Sequence, residues 1–419
     1  MNKKLIHSNK NHISNIEIEL PLSKSISNRL SMIYAVNNWP IDNIVFSNAD
    51  DSVLLTKLLN DIRINEQKEF QEEAMILDCK NAGTVFRFLT AFLPTQKQIY
   101  FLTGSERMLK RPIANLADSL VNMGADIQYQ EEEGFPPLRI SSAHWQFNEV
   151  NIDISESSQF ASALLMVLPD ISNNTKVNLQ GKLSSLPYIE MTLKLMSEYG
   201  IDYSFEGNSI QIRGEYQKPK KAIKIETDWS SASYWYELLA LKGQGQILLK
   251  DLSLQSIQGD AALVNIFEKL GVKSYSHPKG VMIIAEGEAI SEIELDFNNI
   301  PDLAPAVIVS CAALGIKSNF IGLENLNLKE SRRMDVLQSE LHKLGFDLLR
   351  ISNDEYSLNT KEISSNLDFT NIVIEPHNDH RMAMAFAPMA VIGKGISVES
   401  SEAVNKSYPF FWDEMEKVL

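Results

Sequence analysis

The chain has 419 residues, of which 44% are hydrophobic, and it carries a formal net charge of −15 at pH 7. This length predicts two or three domains with a substantial buried core. The acidic balance argues against non-specific binding to nucleic acid or anionic membranes, and the longest apolar stretches are shorter than the roughly 20 residues of a membrane-spanning helix.

The N-terminal segment and the cysteines indicate the compartment. Residues 1–14 contain lysines but no apolar run, so we expect no secretory signal. Cys79 and Cys311 lie far apart and give no disulfide framework, which fits a reducing environment. We therefore expect a soluble, cytoplasmic protein.

The first predicted helix opens just after Pro21. Ser23 can cap its first turn, and Ser25 and Arg29 lie one turn apart on the same face. Lys24 is a compact positive charge at the helix entry, where unpaired N–H groups already favour a phosphate. The alternative is an ordinary capped helix in solvent.

Two further polar segments follow. Residues 81–84 open an apolar helix over 85–93, in which Gly83 would let a ligand approach the backbone. Residues 103–112 are predicted to form a loop that ends at Pro112, a favoured first helical position. Arg107 and Arg111 in this loop are both candidates for a forked contact to a carboxylate. A simple helix start and a solvated basic loop remain equally good explanations.

A repeat runs through the chain. Predicted helices end at Gly124, Gly200, Gly271 and Gly345, each before a predicted strand, at a spacing of about 70 residues. Residues 59–62 are a possible fifth, glycine-free copy. This pattern predicts repeated α/β units with room for six copies, although four unrelated helix–glycine–strand corners would look similar.

Hydroxyl and amide side chains open another apolar helix at Ser157, Ser158 and Gln159. They suit a phosphate or substrate hydroxyls, and no His/Asp pattern marks either serine as a nucleophile. A lysine-rich segment that follows residue 217 predicts a domain crossing near residue 226. A second crossing near residues 20–21 would place the first strand in the other domain.

The C-terminal half contains candidate acids and bases. Asp302 precedes a very apolar helix, so a raised pKa suited to proton transfer is expected, or else a simple helix cap. Glu330 and Arg333 are predicted on one helical face, as in a catalytic pair or a surface salt bridge. Arg381 follows a His-x-x-His pattern that lacks a third metal ligand. No phosphate-loop or dinucleotide-binding motif is present.

In this order the segments resemble the 5-enolpyruvylshikimate-3-phosphate (EPSP) synthase family of aromatic amino-acid and chorismate biosynthesis. Residues 186–189, 255–260 and 405–409 add to the match, which extends from about Pro21 to Trp412. The resemblance implies an α/β fold, a two-domain inside-out α/β barrel with three repeated units and pseudo-threefold symmetry in each domain. It implies a first domain of residues 21–226 on the 3-phosphoshikimate side. Residues 1–20 plus 227–419 would form a second domain on the phosphoenolpyruvate side, with the active site in the cleft between them.

The resemblance also implies roles for individual residues. Catalysis would involve Asp302, Glu330 and Lys24. The residues implied for 3-phosphoshikimate are Lys24, Ser25, Arg29, Ser157, Ser158, Gln159, Ser185, Asp302, Asn325 and Lys329. The residues implied for phosphoenolpyruvate are Lys24, Gly83, Arg107, Gln159, Arg333, Arg381 and Lys406. No metal or organic cofactor, no nucleic acid and no membrane partner is implied, and a monomer is expected.

Some positions depart from the family pattern. They are Leu22, Phe88, Trp229 and Arg332, and none of them is an implied catalytic residue. The retained Gly83 predicts the family's glyphosate-sensitive arrangement. One alternative is the sister transferase that acts on UDP-N-acetylglucosamine, which usually carries a cysteine in the loop before Arg111, where this chain has none. The other alternative is a non-catalytic homologue.

Overall fold

The computed structural model describes residues 2–7, 16–41, 44–219, 223–359 and 367–419. The chain divides into two units. Unit 1 comprises Met1–Ser23, Asn48–Asp50 and Glu226–Leu419, and unit 2 comprises Lys24–Ser47 and Asp51–Ile225. The sequence places its domain boundaries at 20–21 and 226–227, and it gives no signal for the brief return at residues 48–50. Which substrate each domain binds stays a prediction.

The described α-helices are numbered in chain order. They are α1 Lys24–Val36, α2 Asp50–Glu66, α3 Gly83–Phe92, α4 Glu106–Leu109, α5 Ala114–Asn122, α6 Gln159–Ile171, α7 Leu186–Glu198, α8 Trp229–Lys242, α9 Leu263–Lys269, α10 Ala304–Ala313, α11 Arg333–Lys343, α12 His380–Phe386 and α13 Phe411–Glu416. Short 3-10 helices lie at Leu93–Thr95, Gly259–Ala262, Glu324–Leu328, Ala387–Val391 and Ser401–Lys406. In the described ranges, no helix is both long and apolar enough to cross a bilayer.

The strands are numbered in the same way. They are β1 Lys4–His7, β2 Ile16–Ile18, β3 Met75–Asp78, β4 Tyr100–Thr103, β5 Asp126–Tyr129, β6 Leu138–Ser141, β7 Glu149–Asp153, β8 Asn174–Gln180, β9 Asp202–Glu206, β10 Ser209–Arg213, β11 Gly245–Lys250, β12 Val272–His277, β13 Gly280–Ala285, β14 Glu292–Asp296, β15 Lys317–Ile321, β16 Leu348–Arg350, β17 Tyr356–Leu358, β18 Val373–Ile374 and β19 Gly395–Val398.

Four of the sheets share one topology. Their strand orders are β3-β4-β6-β5 and β7-β8-β10-β9 in unit 2, and β2-β11-β13-β12 and β14-β15-β17-β16 in unit 1. In each sheet the first two strands are parallel and the next two pairings are antiparallel. A fifth sheet, β18-β19-β1, follows the same pattern with three strands. The predicted repeat of α/β units is therefore present as a repeated topology.

The glycine turns close corresponding corners of these repeats. Gly124, Gly200, Gly271 and Gly345 follow α5, α7, α9 and α11 and have φ values of 108°, 91°, 90° and 87°. Side-chain-bearing residues rarely adopt such backbone angles, so glycine ends these helices with little strain. The proposed glycine-free copy at residues 59–62 is wrong, because these residues lie inside α2, which continues to Glu66.

The helices are of two kinds. Helices α3, α6, α8, α10 and α12 are apolar and buried on nearly every side, as expected for helices enclosed within a core. Helices α5, α7, α9 and α11 are amphipathic and keep an exposed face. In unit 2, α1 packs with α3 and α6, and in unit 1, α10 packs with α8 and α12. These two groups of packed helices position most of the polar segments described next.

One local prediction was wrong. The expected loop over residues 103–112 contains the short helix α4, whose first turn Ser105 caps by accepting a hydrogen bond from the Met108 N–H. Pro112 is not the first helical residue, since α5 begins at Ala114.

Candidate active site

In unit 1, Asp302 lies between two arginines. Arg381 Nη2 donates to its Oδ2 at 2.7 Å, and Arg333 Nη1 donates to its Oδ1 at 3.2 Å. Asp302 directly precedes the buried helix α10, Arg333 is the first residue of α11, and Arg381 lies in the first turn of α12. The folding of three separate segments thus brings one carboxylate and two guanidinium groups together.

Glu330 lies in the same cluster. It accepts a hydrogen bond from Arg333 Nη2 at 2.8 Å, and its other oxygen lies 3.2 Å from Lys406 Nζ. Glu330 and Arg333 were predicted to lie on one helical face, but Glu330 precedes α11. The contact between the two side chains is nevertheless present. Lys406, Glu330, Arg333, Asp302 and Arg381 form one continuous chain of alternating charge, which we call the charged cluster.

Asp379 holds two arginines of this cluster in place. It is fully buried and accepts from Arg333 Nε at 2.9 Å, from Ser331 Oγ at 3.0 Å and from the Arg381 backbone N–H at 3.0 Å. The last contact caps α12. One carboxylate therefore fixes both a guanidinium and the start of the helix that carries another. The sequence alone indicated no role for Asp379.

The pKa of Asp302 contradicts the sequence-based expectation. Burial alone would raise it, as predicted, but the charges of Arg381, Lys329 and Arg333 outweigh burial and hold the pKa of Asp302 below its usual value. Asp302 is therefore ionised at neutral pH. The effect of Lys329 puts this residue within electrostatic reach of Asp302, and Asn325 lies in the preceding 3-10 helix.

A second carboxyl group behaves in the opposite way. Asp260 is buried and accepts a hydrogen bond from Ser230, whose Oγ also lies 3.4 Å from Arg381 Nη2. Burial and the nearby charge of Asp302 raise the pKa of Asp260 to about 7. Residues 255–260 contribute to the family resemblance, but nothing in the sequence predicts that Asp260 lies beside Ser230.

In unit 2, the first turns of α1, α3, α6 and α7 lie together. Gln159 at the start of α6 accepts from Arg87 Nη1 at 2.8 Å and donates to Thr84 Oγ1 in α3 at 3.1 Å. Ser157 Oγ accepts from the Gln159 backbone N–H, and Ser158 is buried beside it. Ser185 precedes α7 with a φ of 57°, an unusual conformation for a serine. We call this region the helix-start cluster.

Lys24 begins α1 and forms an ion pair at 3.1 Å with Asp51 in α2. Both side chains are largely buried, with exposures of 14% and 6%. Ser25 follows Lys24 and is half-buried. Asp51 lies in the first turn of the next helix and holds the ammonium group of Lys24 in place, and no sequence pattern indicated it as a site residue.

Arg29 is occupied by protein partners. Its guanidinium donates to Thr192 Oγ1 at 2.7 Å, to Ser162 Oγ at 3.1 Å and to the carbonyl oxygens of Ser25 and Tyr188 at 3.0 and 3.2 Å. Burial lowers the pKa of Arg29 to about 10. These contacts tie α1 to α6 and α7, so Arg29 holds the helix starts together in addition to any contact with a substrate.

The two arginines of the 103–112 segment differ in position. The Arg111 guanidinium lies so close to Gly83 that a Cβ added to Gly83 would meet Arg111 Nη1 at 2.4 Å. Arg111 is 3% exposed, and its Nε and Nη1 have no hydrogen-bond partner within the described part of the chain. Arg107 is only half-buried. Geometry therefore associates Arg111 with Gly83, whereas the resemblance pointed to Arg107.

The four departures from the family pattern lie outside the charged cluster. Phe88 is buried, and the centre of its ring lies 5.7 Å from the Arg29 guanidinium carbon. Trp229 is buried at the start of α8. Arg332 is exposed, and Leu22 forms an isolated β-bridge. Among the described residues, no group of three or more His, Cys, Asp or Glu side chains is arranged to hold a metal ion.

Comparisons with known proteins agree on one family. The model of the EPSP synthase (3-phosphoshikimate 1-carboxyvinyltransferase) family matches residues 51–415. The chain is 37% identical to a 3-phosphoshikimate 1-carboxyvinyltransferase of Bacteroides fragilis, over 96% of this chain and 94% of the relative. It is 33% identical to the one of Haemophilus influenzae, over 96% of each.

A solved structure shows the same fold. The EPSP synthase of Acinetobacter baumannii superposes with a TM-score of 0.75, covering 100% of this chain and 98% of the other, at 21% sequence identity. The two-domain α/β fold implied by the resemblance is thereby confirmed. Because the family match and the relatives above 30% identity extend over most of its length, the chain belongs to the EPSP synthase family.

Proposed function

We propose that the protein is a 3-phosphoshikimate 1-carboxyvinyltransferase, which transfers the enolpyruvyl group of phosphoenolpyruvate to the 5-hydroxyl of 3-phosphoshikimate and releases phosphate. The relatives carry this name. The observation that carries the proposal is the charged cluster, where two carboxylates and three cations alternate within hydrogen-bonding distance. That inventory is the one that this reaction requires.

The reaction joins two anions and involves three proton transfers. The 5-hydroxyl oxygen bonds to the enol carbon and loses a proton, while the methylene carbon gains one and becomes a methyl group. The resulting tetrahedral intermediate then expels phosphate and loses a methyl proton to restore the double bond. Cations offset the repulsion between the substrates, and two placed carboxyl groups exchange the protons.

Asp302 is the proposed acceptor of the hydroxyl proton. In the protein alone, Arg381 and Arg333 hold its pKa low, which makes it a weak base. A bound phosphoenolpyruvate would draw both guanidinium groups toward its own negative charges. Asp302 would then lose part of this stabilisation, and its pKa would rise toward the range in which it can take a proton. Substrate binding itself would thus strengthen the base.

Glu330 is the proposed partner in proton transfer at the methylene carbon. It lies between Lys406 and Arg333, both proposed to bind phosphoenolpyruvate, so its carboxyl group would be held beside that substrate. Lys24 is proposed to reach both substrates and to act in catalysis. Asp379 would act as a positioning residue, because its contacts are to Arg333 and to the start of α12.

The remaining assignments follow the resemblance, with two changes from geometry. Proposed contacts to 3-phosphoshikimate come from Lys24, Ser25, Ser157, Ser158, Gln159, Ser185, Asp302, Asn325 and Lys329. Arg29 is proposed mainly to position the helix starts. Proposed contacts to phosphoenolpyruvate come from Lys24, Gly83, Gln159, Arg333, Arg381 and Lys406. Arg111 joins Arg107 as a candidate for this anion, because its buried donors lie against Gly83.

We also propose that the protein is a cytoplasmic monomer that acts on small molecules alone. The net charge of −15 supports the absence of a nucleic-acid partner, since a polyanion would be repelled. Sedimentation of the purified protein would test the oligomeric state.

Phosphate release tests the function directly. Purified protein is mixed with phosphoenolpyruvate and 3-phosphoshikimate, and we expect release that requires both substrates. UDP-N-acetylglucosamine replaces 3-phosphoshikimate as the control acceptor and should give none. Release with that acceptor would show that the proposed acceptor is wrong. Absence of release with either acceptor, from protein that still binds 3-phosphoshikimate, would identify a non-catalytic homologue.

A further inference from the structure

A cavity of about 460 Å³ opens in unit 2 beside α1 and α2. Its volume falls within the roughly 300–1,000 Å³ of small-molecule sites. It is lined by the C-terminal half of α1, residues 38–41, Phe46 and Ser47, one face of α2 and the end of α3. None of the residues proposed for the transferase reaction lines it, so the cavity is a feature separate from that chemistry.

Buried apolar side chains form the floor of the cavity, and two half-buried aromatic side chains also line it. Leu59, Ile62 and Phe92 are buried at its floor, with exposures of 8%, 1% and 3%. Trp39 and Phe46 are half-buried and line it as well. Apolar and aromatic walls of this kind favour a ligand with a flat or ring-bearing apolar body, whose burial removes water from both surfaces.

The repeated topology explains why the cavity exists. Elsewhere the repeated helices are accompanied by sheets of the shared topology. Of the described residues between Ser23 and Met75, none forms a strand, so no sheet of their own accompanies α1 and α2. Part of the outer face of α2 is consequently left facing open space, and Val53 in this face is 56% exposed.

The charges around the cavity are asymmetric. Lys57 and Arg63 line it from α2, and within the described residues neither makes an ion pair, Arg63 donating only to Asn60 at 3.0 Å. The acid among the described lining residues is Glu66, which accepts from the Lys97 and Gln98 backbone N–H groups and from the Tyr100 hydroxyl. The cationic groups thus remain available to a ligand, whereas the carboxylate is already engaged.

We propose that this cavity binds a small organic monoanion that combines an aromatic body with one carboxylate or sulfonate group. The body would occupy the space between Trp39, Phe46 and the apolar floor, and the anionic group would lie near Lys57 and Arg63. This site is additional to the transferase function and does not depend on it. Other occupants of the surface, such as a second copy of the chain, are outcomes of the test.

A matched pair of fluorescent probes tests the proposal. 8-Anilinonaphthalene-1-sulfonate has the required aromatic body and negative charge, whereas N-phenyl-1-naphthylamine has nearly the same body without the charge. We expect saturable binding of the sulfonate at one site per chain, unaffected by saturating phosphoenolpyruvate and 3-phosphoshikimate. The double variant Lys57→Glu, Arg63→Glu should weaken sulfonate binding about 10-fold or more at low ionic strength and leave the uncharged probe within about two-fold.

Two further variants complete the design. Lys176→Glu combined with Lys194→Glu makes the same charge change on exposed residues of unit 2 outside the cavity, and it should leave both probes unaffected. Thr56→Trp places an indole inside the cavity and should abolish binding of both probes. Retained transferase activity or an unchanged melting temperature shows that each variant is folded.

Several results would overturn the proposal. One is full sulfonate binding by folded Thr56→Trp, which would place the probe elsewhere. Another is equal weakening of sulfonate binding by both double charge-reversal variants, which would show that only the net charge of the protein matters. Competition by the transferase substrates would assign the probe to the reaction site. A concentration-dependent dimer that Thr56→Trp disrupts would assign the surface to a second copy of the chain.

Discussion

The charged cluster of unit 1 and the helix-start cluster of unit 2 are built on the same plan but use different chemistry. Both gather polar side chains at or just before the first turns of helices, which supply N–H groups and a positive potential. Unit 1 adds ion pairs between carboxylates and cations, whereas unit 2 adds mainly hydroxyl and amide groups. The two units thus share a frame of polar helix starts, and the difference between them supports the proposal that unit 1 carries out proton transfer while unit 2 mainly recognises neutral groups.

The largest expected effect tests the role of unit 1 in proton transfer. Glu330→Gln keeps the shape of the side chain but removes its charge and basicity, so turnover should fall about 100- to 10,000-fold. The KM values for both substrates should change far less. Steady-state phosphate release measures both quantities. The control is Asp335→Asn, which alters an exposed acid in the first turn of α11. Turnover close to wild type in Glu330→Gln would remove Glu330 from the mechanism.

The next prediction concerns Arg111, a buried cation in unit 2, where the polar groups are otherwise mainly hydroxyls and amides. Arg111→Lys loses the guanidinium held against Gly83 and should raise the KM for phosphoenolpyruvate by about 10- to 100-fold, since each hydrogen bond to a charged group is worth about 1.5–3 kcal/mol. Arg107→Lys, which changes a half-buried residue of the same segment, should have the smaller effect. The reverse order of effects would return the role to Arg107.

A smaller effect should appear in the pH dependence of unit 1. The pKa of Asp260 is about 7, so this group gains a negative charge as the pH rises through neutrality. The new charge would compete with phosphoenolpyruvate for Arg381, and the KM for this substrate should rise about 3- to 10-fold above pH 7. Asp260→Asn should flatten this dependence between pH 6 and 8. An unchanged profile in the variant would mean that another group controls the titration.

The smallest effect on catalysis should come from an acid outside both clusters. Glu237 in α8 is fully buried, its carboxyl oxygens lack hydrogen-bond partners among the described residues, and burial raises its pKa well above the usual value. A raised carboxyl pKa leaves the fold most stable at acid pH, and stability declines as the pH rises toward that pKa. The difference in melting temperature between Glu237→Gln and wild type should therefore shift in favour of the variant by about 2–4 °C or more as the pH is raised from 5 to 8.

Calorimetry at several pH values checks this, with phosphate release as the test of function. Turnover should stay within about two-fold of wild type. A melting-temperature difference that does not change with pH would show that Glu237 is not the source of the pH-dependent instability.

The sequence predicted what depends on local backbone preferences. The four glycine turns were found because a positive φ favours glycine whatever the surroundings. The starts of α3 and α6 were found because polar residues there precede strongly apolar helices. The prediction for residues 59–62 was wrong, since a segment without glycine continues a helix as readily as it ends one.

What depends on contacts between distant segments could not be predicted. Asp302 was expected to be a weak acid because its neighbours in sequence are apolar, yet its ionisation is governed by Arg333 and Arg381 from two other helices. Asp260 and Asp51 were missed for the same reason. Arg107 lies within the unexpected helix α4 and Arg111 follows it, and the sequence does not indicate that the Arg111 guanidinium is the one packed against Gly83.

The path of the chain between the two units has a consequence for biosynthesis. Strand β2 pairs with β11 and strand β1 with β19, so β1 and β2 find their partners only after long stretches of later sequence have been made. Unit 2, which is nearly continuous in sequence, is complete much earlier. We expect it to fold during translation while β1 and β2 are still unpaired, so that unit 1 acquires its last strand pairing only after β19 has been made.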